Sequence, residues 1–297
     1  GVTSKQLQRE VFKEIKAHLK RARHLARLAQ WLLLETLLLN QKTHSIKTLK
    51  QSLGSSGRLD AEFYQEKYER AEAQLKKHGF VLLEDICSHI NYGSVPTSPY
   101  CGRDEGIPYI KGLNLKNLSI SGRLDCIKDT QKLASKFFTQ KNDIIISQMG
   151  TVGDVGVVSQ EQEGYIFASF TIRVRLKDPH FNPFYIALYI QDIAKNWYLQ
   201  RHIAQASVRQ NTDLPTIRKL YIPKIPTPIQ EQIAKHLQNS FTLRAQAKAA
   251  LERAKTQLEH ALNLGGGGGG SRFFNPRKNP FKPPQFGVKM APKGGFN

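Results

Sequence analysis

Apolar and polar positions follow three different rhythms along this chain. Between residues 6 and 39, apolar side chains return every third or fourth residue, at Val11, Ile15, Leu19, Ala22, Ala26, Ala29 and Leu33, with no Pro or Gly among them. That spacing predicts one amphipathic helix, about 50 Å long at a rise of about 1.5 Å per residue. Lys13, Lys16, Lys20, Arg23 and Arg27 stud its other faces. A stripe of this length needs a partner to cover it. Residues 60–78 look helical again, with Ala61, Tyr64, Tyr68, Ala71 and Leu75 three and four apart. Between the two, residues 40–57 are polar and end in Gly54-Ser55-Ser56-Gly57, a linker.

From about 80 to 226 the rhythm shortens. Apolar runs rich in β-branched residues alternate with Gly, Pro, Asn and Ser: Val81–Leu83, Ile107–Ile110, Asp143–Ser147, Val155–Val158, Tyr165–Phe167 and Ile172–Leu176. These predict strands. Phe184–Tyr198 predicts a helix with a buried aromatic face. Gly150-Thr151-Val152-Gly153-Asp154-Val155-Gly156 falls between two predicted strands and reads as a hairpin turn, where Gly supplies positive φ.

Pro223, Pro226 and Pro228 then forbid a helix before about Pro228, where a missing N–H costs nothing. From 229 to 263 a second long stripe runs through Ile229, Ile233, His236, Leu237, Phe241, Arg244, Ala247, Leu251, Ala254, Leu258 and Ala261, close to heptad spacing. Two long helices thus bracket one α+β body. The simplest way to bury their stripes is against each other or against a partner's helices.

Charge adds a partner class. The formal net charge is +20, of which residues 1–50 carry +8 and residues 271–297 carry +6. Such a basic excess suits a polyanion, most simply nucleic acid. The three cysteines, at 87, 101 and 126, lack the spacing of a zinc ribbon or a disulfide framework and read as reduced thiols of a cytoplasmic protein. The run Leu32–Leu39 is too short and too interrupted to span a membrane. Gly265–Gly270 reads as a flexible linker whose uniformity is that of an added joint, and 271–297 as a basic, Pro- and Phe-rich tail without a core, disordered or a tethered peptide.

Catalytic patterns are missing. Neither a Gly-x-Ser-x-Gly elbow nor a phosphate loop ending in Gly-Lys-Ser/Thr is present. Pro283-Pro284 sits in the tail, and Glu14-Ile15-Lys16 lies on a predicted helix rather than at a nuclease strand. The histidines show no metal spacing. A non-catalytic chain is expected.

Several segments resemble one family, in one order. They are Leu28–Leu37, Ser56–Gln65 with Arg58-Leu59-Asp60-Ala61-Glu62, Ile107–Ile110, Gln140–Ser147 with Gly150–Gly153, Leu214–Leu220, and the Pro-rich junction at 222–233. Together they resemble the specificity (S) subunit of type I restriction-modification systems, and the similar recognition regions of fused type II restriction-methylation enzymes.

The resemblance implies an α+β fold: one mixed/antiparallel, β-rich target-recognition domain and two long antiparallel coiled-coil-like helices. It divides the chain into an N-terminal arm (1–40), a linker (41–57), a DNA-binding domain (58–228), a C-terminal arm (229–264), the polyglycine linker (265–270) and the tail (271–297). It implies double-stranded DNA as partner, methyltransferase subunits docked on the arms and a restriction subunit as a further partner. S-adenosylmethionine, and Mg²⁺ and ATP, would belong to those subunits; no cofactor is expected in this chain. One recognition domain with two arms is a half-subunit that dimerises, a fragment, or part of a fusion.

For base reading, Arg suits guanine and Asn or Gln suit adenine. Loop candidates are Arg103, Lys111, Asn114, Lys116, Gln148, Thr151, Arg173, Gln205, Ser207, Arg209, Gln210 and Asn211, with Gln205–Thr212 the foremost. Two other function classes stay open. One is an enzyme with an unrecognised site, testable by turnover. The other is an adaptor that does not bind DNA, testable by the salt dependence of DNA affinity.

Overall fold

The computed structural model describes residues 4–37, 73–102, 105–128, 130–148, 154–199 and 213–264. The linker, most of the helix expected at 60–78, the glycine run and the tail lie outside them. Contacts divide the chain into Gly1–Leu251 and Glu252–Asn297.

Helix α1 spans Ser4–Thr36. Ala22, Ala29, Leu33 and Leu37 are fully buried on the expected spacing, whereas Leu19 stays 37% exposed. Helix α4, Thr227–Leu264, starts one residue before Pro228, whose ring is tolerated in a first turn. The small side chain of Ala22 lets the two helices approach, and the Ser240 hydroxyl donates to the Ala22 carbonyl at 2.7 Å. Ile233 and Leu237 of α4 share one core with Ala29, Leu33 and Leu37 of α1. Low numbers on one helix thus meet high numbers on the other, and the pairing is antiparallel. In the second unit the helix is exposed, with Lys255 paired to Glu252 at 2.8 Å.

The described residues of the body form three sheets. Strands β1 (Phe80–Leu82) and β12 (Tyr221–Pro223) pair antiparallel and close the start of the body onto its end. Pro223 is accommodated because a two-stranded ribbon has only edges. A six-stranded sheet runs in the order β2 (Cys87–Tyr92), β11 (Thr171–Leu176), β8 (Ile144–Ser147), β9 (Val155–Val157), β6 (Leu118–Ile120), β5 (Leu115–Lys116). A four-stranded sheet runs β10 (Ile166–Phe167), β4 (Ile107–Ile110), β7 (Asp125–Ile127), β3 (Tyr100–Cys101). Cys101 and Cys126 stand opposite each other on β3 and β7, and none of the three cysteines forms a disulfide.

The unbroken apolar run of β8 follows from its place in the layers. Ile144 and Ile146 enter the main core with helix α2 (Pro183–Leu188), while Ile145 enters a second core with Ile110 and Phe167. Both faces are covered, so no polar position is left to alternate. Asn182 caps α2, accepting from Phe184 N at 2.9 Å. From Tyr189 to Leu199 the helix continues with the wider i→i+5 pattern.

The β5–β6 turn is built on unusual residues. Asn117 (φ 53°) and Leu118 (φ 61°) are both left-handed, as a two-residue hairpin requires. Leu in this region costs about 1–2 kcal/mol. Burying its side chain in the main core returns about as much. Among the described residues no helix is long and apolar enough to cross a membrane.

Candidate nucleic-acid interface

Side chains tie together the flanks of residues 149–153 and of residues 200–212, two stretches that lie outside the described residues. Tyr92, the last residue of β2, presents a phenolic oxygen that accepts from Gln148 Nε2 and from the Leu214 backbone N, both at 3.3 Å. Gln148 precedes residues 149–153, and Leu214 follows residues 200–212. The far ends of the same segments are joined too. Lys195 Nζ contacts Asp154 Oδ1 at 2.5 Å, and Val155 N donates to Gln191 Oε1 at 3.0 Å. Gln191 and Lys195 belong to the helix that leads toward residue 200. Asp213 caps helix α3 (Leu214–Arg218), accepting from Thr216 N at 2.9 Å. The residues that flank 149–153 and 200–212 are therefore joined twice, by Tyr92 with Gln148 and Leu214, and by Asp154 and Val155 with Lys195 and Gln191.

These segments carry Thr151, Gln205, Ser207, Arg209, Gln210 and Asn211, which lie outside the described residues, as does Arg103. Among the described candidates, Gln148 is brought to this root. Lys111 is half-buried, paired with Asp125 and 5.0 Å from the centre of the Tyr100 ring. Asn114 is fully buried. Its Oδ1 accepts from Lys111 N at 2.9 Å, and its Nδ2 donates to the carbonyls of Ser121 and Arg123 at 3.3 and 3.2 Å. It shapes the 111–123 turn from inside and is not a loop-surface group. Lys116 is exposed beside the β5–β6 turn.

Arg173 corrects the expectation most sharply. It lies on β11, not in a loop, and is 0% exposed. Its Nη1 pairs with Asp143 Oδ2 at 3.3 Å, and Nη2 donates to Asn91 Oδ1 at 2.7 Å and to the Lys136 carbonyl at 3.0 Å. Burial pushes its guanidinium down from the usual value, and Asp143 pulls it back up. Arg175 holds the same carboxylate at 2.7 and 2.8 Å. The cluster bolts the 136–143 stretch onto the sheet, so Arg173 is a structural cation.

Reasoning from sequence missed Tyr92, Lys195, Asp154 and Phe170. Phe170 is 60% exposed, and its carbonyl accepts from Gln148 N at 3.0 Å. An aromatic side chain in the polar turn between two predicted strands was the signal available for it. Asp192, on the helix beside Lys195, is raised to about 6 by burial, against the pull of Lys195 and a hydrogen bond from Gln30. A polar cleft of about 420 Å³ elsewhere mixes Lys141, Arg175 and Lys177 with Asp178 and Glu231, so it offers no field of one sign.

A family described as Type I restriction modification DNA specificity domain matches residues 77–253. Three solved structures are similar in outline. A chain of a type I R-M system is 20% identical, with 86% of this chain and 57% of that one covered at a TM-score of 0.42. The HsdS subunit from Thermoanaerobacter tengcongensis is 19% identical, with 84% and 58% covered at 0.37. The type I restriction-modification S subunit from M. genitalium is 12% identical, with 87% and 58% covered at 0.41. The chain thus spans less than two thirds of the length of each. No curated protein matches the chain.

Proposed function

Because this chain belongs to the type I restriction modification DNA specificity family, we propose that it reads a DNA sequence with the two segments rooted at Tyr92. The family is a DNA-recognition component without catalysis of its own. In this chain residues 149–153 and 200–212 supply the reading groups, with Arg209 for guanine and Gln205, Gln210 and Asn211 for adenine. Methyltransferase subunits, which use S-adenosylmethionine, dock on the paired helices, and a restriction subunit with ATP and Mg²⁺ joins them. The antiparallel helices act as a rigid spacer, so that a second recognition unit, from another copy or from chain beyond this one, reads a half-site at fixed separation.

The observation that carries this reading is the shared root. The residues that flank the segments richest in base-reading donors are held together, Gln148 with Leu214 through Tyr92, and Asp154 with Lys195. Selection from a randomised duplex pool tests it. The chain should enrich one motif, with affinity falling steeply with salt as phosphate contacts require. Arg209→Ala should weaken binding to that motif by about 1–3 kcal/mol and leave the melting curve unchanged. A pool that returns unenriched would refute the reading.

A further inference from the structure

Phe170 is a large apolar side chain, 60% exposed, on a hydrogen-bonded turn. Thr171 N and Thr171 Oγ1 both donate to the Ala168 carbonyl, at 2.9 and 2.7 Å, and close the turn that carries it. Ser94 pairs with Ala168 as a parallel bridge, and Ser94 N donates to the Phe167 carbonyl at 3.0 Å. That approach depends on Gly93, because a Cβ there would lie 2.1 Å from Phe167 O. The Phe170 carbonyl is itself taken by Gln148 N. Three residues earlier Phe167 is completely buried, so the same short stretch sends one ring inward and one outward.

Single exposed apolar residues are common and need no explanation. Place distinguishes this one. Phe170 bonds directly to the residue that roots the 149–153 segment, beside Tyr92 and hence beside the start of α3. Val95, next along the bridged chain from Ser94, is also exposed, at 66%. Among the described residues, the other strongly exposed aromatics, Phe12, Trp31 and Tyr100, sit on α1 and β3. A fixed aromatic among polar groups gains nothing for the fold by being exposed. Against DNA it can enter a base step, since an apolar wedge pushed between bases needs a rigid backbone behind it.

Resting on the DNA-recognition reading above, we propose that Phe170 is a wedge that inserts at one base step of the bound duplex and unstacks it. It acts as a positioning residue that fixes where the flanking segments meet the bases. Deformability of that step then enters the sequence preference without a hydrogen bond.

The test uses the full chain, assembled with its methyltransferase subunits, on duplexes of the selected motif with 2-aminopurine at each position in turn. Wild type should raise the fluorescence at one step. Phe170→Ala should abolish that rise and weaken binding about 5- to 150-fold, the range for losing one aromatic–base stack, with an unchanged melting curve. Phe170→Trp should keep both. Wild type that prefers the motif but unstacks no step overturns the wedge alone. So does Phe170→Ala that matches wild type on DNA, or that loses only the methyltransferase subunits. Wild type with no preferred sequence overturns the DNA reading and the wedge with it.

Discussion

Replacing Arg173 with Ala separates a structural cation from a base reader. The guanidinium is fully buried and makes four polar contacts, to Asp143, to Asn91 twice and to the Lys136 carbonyl. Asp143 would keep Arg175 and the Gln140 N–H, at 2.8 Å, so its charge remains compensated. Asn91 Oδ1 would lose both donors it has from Arg173, while the Lys136 carbonyl would keep Asn91 Nδ2 at 3.4 Å; an unsatisfied buried group costs about 1–3 kcal/mol. Adding the lost pair and the void, Arg173→Ala should destabilise by about 3–5 kcal/mol.

Asp143→Ala should cost at least as much, since it strands Arg173 without its counter-charge. Arg175→Ala should cost less, because that side chain is 17% exposed and water can replace it. In urea, with a slope of about 3 kcal/mol per molar for a body of this size, the Arg173→Ala midpoint should fall by about 1–2 M. The same variant under native conditions, below its midpoint, should retain the wild-type sequence preference. An unchanged midpoint together with a lost preference would refute the reasoning and return Arg173 to the DNA.

Three further variants probe other parts of the fold. Asp192 is raised from 3.8 to about 6 by burial, so its ionised form opposes folding. Lowering the pH through 6 should add stability from this group until the unfolded chain also protonates near 4, and Asp192→Asn should gain up to about 2–3 kcal/mol at pH 8 and none at pH 4. Thermal melts at the two pH values check this, and a variant weaker than wild type at pH 8 contradicts it. Gly93→Ala places a methyl 2.1 Å from a backbone oxygen that cannot turn away. It should cost about 1–3 kcal/mol or more, whereas Gly164→Ala, with open space around it but φ of 78°, should cost only its backbone strain of about 1 kcal/mol. Equal melting temperatures for the two would sink the close-approach account.

The sequence made the regular elements legible because their covering is regular. The strand expected at Ile107–Ile110 is observed with those limits, and those expected at 143–147, 155–158 and 172–176 lie within one residue of β8, β9 and β11. The family and the α+β class followed from that order. Long-range pairings were not legible. Ile172-Arg173-Val174-Arg175 alternates like a strand with one wet face, and nothing local shows that the 136–143 stretch covers that face and brings Asp143 to both guanidinia. Asn114 reads as a polar loop residue, yet its amide is spent on carbonyls 7 and 9 residues away. The root at Tyr92 joins residues 92, 148 and 214, a coincidence that only the closed sheet creates. Phe170 and β2 escaped because short, mixed-polarity stretches carry no period.

The central claim is that the 200–212 segment selects the DNA sequence. Mapping methylated bases across the genome of cells that express the complete system tests it most directly. The account predicts one methylated motif for wild type, and a lost or altered motif when residues 205–211 are replaced by a Gly/Ser stretch of equal length in a protein that still folds and assembles. The same motif, methylated to the same extent after that replacement, would contradict it.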